Sequence, residues 1–91
     1  MPTVRAFTVD GFVVKFYTRD EHEPPHFHVV KPGHWEISVN FTLCTAAGLD
    51  YSLKWPKYGT GPTAPECKKL LNQVLAHRHA LLVEWEESRP R

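Results

Sequence analysis

The 91-residue chain is 42% hydrophobic and carries eleven basic against ten acidic side chains. That composition supports one globular domain spanning residues 1–91 and excludes both a disordered chain and a strongly basic nucleic-acid-coating protein. Two cysteines are too few for a disulfide-stapled secreted domain, and no apolar run nears the roughly 18 residues a membrane span needs, so reduced thiols and a cytoplasmic location are expected.

"VRAFTVDGFVVKFY" is the clearest local signal. Asp10-Gly11 lies between two β-rich runs and suits the two positive-φ positions of a type I′ hairpin turn. That turn would set Val9 opposite Phe12, Phe7 opposite Val14 and Arg5 opposite Phe16. Phe7, Val9, Phe12, Val14 and Phe16 then form the core face. Val4, Ala6, Thr8, Val13, Lys15 and Tyr17 form a wetter one.

"TRDEHEPPH" follows, and its successive prolines favour a stiff extended loop. "HFHVV" reads as a third strand with His26 and His28 on one face and Phe27 and Val29 on the other. Pro32-Gly33 is a turn. "HWEISVNF" alternates as a half-buried fourth strand, with Trp35, Ile37, Val39 and Phe41 against Glu36, Ser38 and Asn40. "LDYSLKW" suggests a short fifth strand, and "PKYGTGP" a loop.

A C-terminal helix starts at the capping-box spacing of Thr63 and Glu66, with Pro65 in the first turn, and ends before Pro90. Cys67, Leu70, Leu71, Val74, Leu81, Leu82 and Trp85 make its apolar stripe, and Arg78 falls within it. The expected fold is α+β: an antiparallel sheet of four to five strands with one long C-terminal helix packed on one face.

Six histidines is a high count for this length. His22, His26 and His28 could converge over the Pro-Pro bend and hold zinc or another divalent metal, with Asp20, Glu21 or Glu23 helping. Without a metal, His26 and His28 could exchange protons near neutral pH. Arg78 would then steady a developing oxyanion or phosphorane, and His77 could join the loop histidines. RNA suits such a trio because its 2′-hydroxyl is an internal nucleophile. The structural alternative makes these histidines polar residues at a strand edge and either gives Arg78 an ion-pair partner such as Glu36 or lets it snorkel past the sheet edge. His34 and His79 read as surface. Lys54, Trp55, Lys57, Tyr58, Lys68 and Lys69 could contact phosphate and stack bases, or form an ordinary wet surface.

The start "MPTVRAF", the block "EHEPPHFHV" and the helical "HRHALLVEWE" together resemble a family of small bacterial proteins grouped as a domain of unknown function. The shared positions are Met1-Pro2-Thr3, Glu21 to His28, His77-Arg78 and Trp85. The family usually has Asp where this chain has Glu21, and residues 42–62 are longer and different here. The resemblance implies a bacterial or phage cytoplasmic protein from a toxin–antitoxin-like gene pair, with a small cognate protein as partner. Two functions follow as expectations. One is a His26/His28/His77/Arg78 cluster acting on RNA or another phosphodiester. The other is a non-enzymatic, inhibitor-like module that binds a protein and, through His22, His26 and His28, a metal. No membrane partner is expected, and a homodimer is compatible with either function.

Overall fold

The computed structural model describes residues 3–16, 25–57 and 59–88. Four strands, β1 (Val13–Lys15), β2 (Phe27–Lys31), β3 (Trp35–Val39) and β4 (Tyr51–Trp55), precede one helix, α1 (Ala64–Ser88). The strands form a single antiparallel sheet in the order β1-β2-β3-β4. With the long helix, this is the expected α+β fold.

The β2–β3 hairpin follows from its turn. His34 N–H donates to the Lys31 carbonyl at 2.9 Å, and Gly33 takes φ +79°. Proline before a positive-φ glycine is the sequence of a type II turn. The register then sets His28 opposite Ser38 and Val30 opposite Glu36.

The Asp10-Gly11 turn differs from expectation. Phe12 N–H donates to the Val9 carbonyl at 3.1 Å and Gly11 has φ +85°, but Asp10 keeps a negative φ. Only one of the two positive-φ positions of a type I′ turn is filled, so the turn is of type II character, which splays its flanking strands. Residues 4–9 accordingly form no strand. Thr3 bridges Lys15, and Val4 N–H donates to the Val14 carbonyl at 3.0 Å, so Val4, not Phe7, lies opposite Val14. Among the described residues the sheet therefore has four strands, and "LDYSLKW" supplies the fourth. Val4, assigned above to the wetter face, is buried because strand alternation does not govern this segment.

Phe7, Val9, Val14 and Phe16 are buried as expected, and Phe12 packs beside them. They join Phe27, Val29, Trp35, Ile37 and Val39 from the sheet, and Phe41 from the turn after β3, in one cluster with Leu70, Val74, Leu81 and Trp85 from α1. Burial of each large side chain contributes about 1.5–3 kcal/mol before entropy is subtracted.

The capping box forms. Thr63 N–H donates to Glu66 Oε1 at 2.9 Å, and Glu66 N–H donates to Thr63 Oγ1 at 3.3 Å. Lys31 Nζ donates to Glu66 Oε2 at 2.7 Å, which ties the helix start to the end of β2 and holds the Glu66 carboxyl below its usual range. Near the other end, Arg5 N–H donates to Glu84 at 2.6 Å. The helix breaks at His77, where φ is −124° and ψ is 18°. No helix among the described residues is long and apolar enough to cross a membrane.

Candidate functional site

The alternation of β2 builds the site. Phe27 and Val29 are fully buried against the helix-side core, which turns His26 and His28 to the opposite face of the sheet. Both histidines are nonetheless well covered, at 8% and 7% exposure. Their ring centroids are 5.5 Å apart, with the rings inclined at 63°. The strand pairings set Lys15, His28, Ser38 and Ser52 in one row across the sheet.

Glu36 completes the arrangement. Its Oε2 lies 3.2 Å from His28 Nδ1. Burial lowers the His28 pKa to about 4, helped by the neighbouring charge of His26 and by Lys54, while Glu36 pulls it upward. His28 is therefore neutral at pH 7. A neutral ring that donates Nδ1–H to a carboxylate carries its basic lone pair on Nε2. That nitrogen is closed off from solvent, and a pKa of about 4 makes the ring a weak base at neutral pH.

His77 and Arg78 sit elsewhere. His77 stacks on Phe7 at 5.9 Å, and Phe7 meets Phe27 edge-on at 5.9 Å on the helix side of the sheet. One Arg78 Nη donates to the Cys44 carbonyl in the loop after β3. That loop is closed by Asn40 N–H to the Asp50 carbonyl at 3.0 Å, and Asp50 N–H points at Cys44 Sγ at 3.3 Å. Cys44 is buried, and burial raises its thiol pKa. The four expected catalytic residues thus form two pairs: His26 with His28 on the outer sheet face, and His77 with Arg78 at the helix break. Glu36, suggested above as the ion-pair partner of Arg78, is bonded to His28 instead.

His22, the third expected metal ligand, lies outside the described residues, as do Asp20, Glu21, Glu23 and Tyr58. Among the described residues no group of three or more His, Cys, Asp and Glu side chains is placed to hold a metal ion. His34 and His79 are exposed, and so are Lys54, Trp55, Lys57, Lys68 and Lys69. Glu36 and Lys15 are the neighbours of His28 that pattern reasoning passed over. The Pro32-Gly33 turn carried a signal for Glu36, since it fixes the β2–β3 register and brings Glu36 diagonally beside His28.

No curated protein and no solved structure matches the chain. Residues 11–86 match a family model, and that stretch contains the histidine pair, Glu36 and most of α1. The chain belongs to the family described as domain of unknown function (DUF4160).

Proposed function

We propose that the protein acts on RNA or another phosphodiester through His26 and His28, as one component of a toxin–antitoxin-like pair. The reading rests on one observation: two imidazoles 5.5 Å apart, one of them bonded to Glu36. In this proposal Nε2 of His28, which is buried in the free protein and must be uncovered when RNA binds, takes the proton of the 2′-hydroxyl, whose oxygen attacks phosphorus. His26 gives a proton to the departing 5′-oxygen, so a 2′,3′-cyclic phosphate and a free 5′-hydroxyl result. Lys15, opposite His28 in the register, supplies positive charge on the same face. Arg78 takes no part in this chemistry, because its guanidinium is engaged by the Cys44 carbonyl at the helix break.

A second reading, a non-enzymatic module that binds a cognate protein, is favoured by a different observation. The histidine rings are nearly closed off from solvent, whereas Leu53, Trp55, Leu75 and Val83 are exposed. The two readings part on end-group chemistry. Purified wild-type protein, His26→Ala and His28→Ala are each incubated with end-labelled RNA, and the products are examined for 2′,3′-cyclic phosphate. Cyclic ends from wild type alone support the catalytic reading. RNA left intact by wild type supports the binding module.

A further inference from the structure

We propose that β4 is a self-association edge, pairing antiparallel with β4 of a second copy about a two-fold axis at Ser52. β4 closes one side of the sheet, and all five of its residues are exposed. The Asp50 carbonyl accepts from Asn40 on the β3 side. Alternation along an antiparallel ladder gives Ser52 the same inward direction and turns the N–H and C=O groups of Tyr51 and Leu53 outward. Among the described residues no strand pairs with β4 on that side, and such a row of groups is a template for another strand.

The occupant follows from charge. An isolated edge lysine ordinarily repels a chance strand, and Lys54 stands here at an irregularity where Trp55 opposes Glu36 and Leu53 opposes Ile37. A fitting strand needs an acid opposite Lys54 and an apolar residue opposite Tyr51. This chain supplies both. With the two-fold at Ser52, Asp50 of each copy faces Lys54 of the other, and Tyr51 faces Leu53. Each Tyr51–Leu53 pair has its backbone groups directed at its partner, so both N–H···O bonds can form. Asp50, Tyr51, Leu53 and Lys54 are all exposed. The result would be a continuous eight-stranded sheet.

The test is sedimentation equilibrium of the full chain over a concentration series. Lys54→Asp and Asp50→Lys each create two like-charge pairs. Each is expected to weaken the dimer about tenfold. Mixing the two variants in equal amounts regenerates opposite charges across every pair, so a heterodimer of wild-type affinity is expected. Circular dichroism checks folding, because the Asp50 carboxylate also accepts from the Asn40 side chain at 2.8 Å. If Asp50→Lys fails to fold, Asp50→Asn combined with Lys54→Asp replaces it. That double variant removes the repulsion and should bind more tightly than Lys54→Asp alone. A wild-type protein that stays monomeric overturns the proposal. So does a dimer indifferent to Lys54→Asp, or a folded mixture or double variant that recovers no affinity.

Discussion

His28 and Glu36, eight residues apart in the chain, meet across the β2–β3 hairpin with Nδ1 and Oε2 at 3.2 Å. The carboxylate favours the protonated imidazole, but burial and the adjacent His26 outweigh it. Glu36→Gln removes the charge and keeps the shape, so the His28 pKa should fall further below its value of about 4. An NMR titration of the ring protons reads this directly, and an upward shift would contradict the assigned balance.

The same lowered pKa makes folding pH-dependent. Above the ordinary imidazole value of 6.5, His28 is neutral in both folded and unfolded chains, and its contribution is fully present. As pH falls from there towards about 4, the unfolded chain binds a proton that the native ring refuses, so stability is lost. The loss from this residue is on the order of 2–3 kcal/mol. Urea midpoints at pH 7 and pH 4.5 measure it. His28→Gln should flatten the dependence, and an unchanged slope would assign it to other groups.

Arg78 is expected to report on stability. Arg78→Met leaves the buried Cys44 carbonyl without its side-chain donor, a loss of about 1–3 kcal/mol. Arg78→Lys should recover part of it. A chemical-denaturation midpoint equal to wild type in Arg78→Met would show that the guanidinium contributes nothing to the fold.

Much of this architecture was legible in the residues, for identifiable reasons. The strict alternation of Trp35, Ile37 and Val39 and the paired signals of Thr63 and Glu66 act within one element, where local rules hold. Asp10-Gly11 misled because the dipeptide fits more than one turn type, and the splayed type II character removed the strand expected before it. The helix break at His77 carries no proline or glycine, and it coincides with two anchors, Phe7 and the Cys44 carbonyl. Cys44 precedes Arg78 by 34 residues and offers a backbone oxygen that no side-chain pattern announces. The histidine pair was legible because strand alternation alone puts His26 beside His28. Its separation from Arg78 depended on which face of the sheet the helix covers.

The helix start offers a local check. Thr63→Ala removes the hydroxyl that accepts from Glu66 N–H and should cost about 1 kcal/mol. Thr63→Ser should be near neutral. Thermal melts of the two variants distinguish them, and equal midpoints would remove the capping box from the account.

The most direct test of the central claim is the nature of the RNA ends after incubation with untagged wild-type protein and with His28→Ala. Catalysis by the His26/His28 pair predicts 2′,3′-cyclic phosphate ends, formed about 10²–10⁴ times more slowly by the variant. Intact RNA with wild type, or equal cleavage by both proteins, would contradict it.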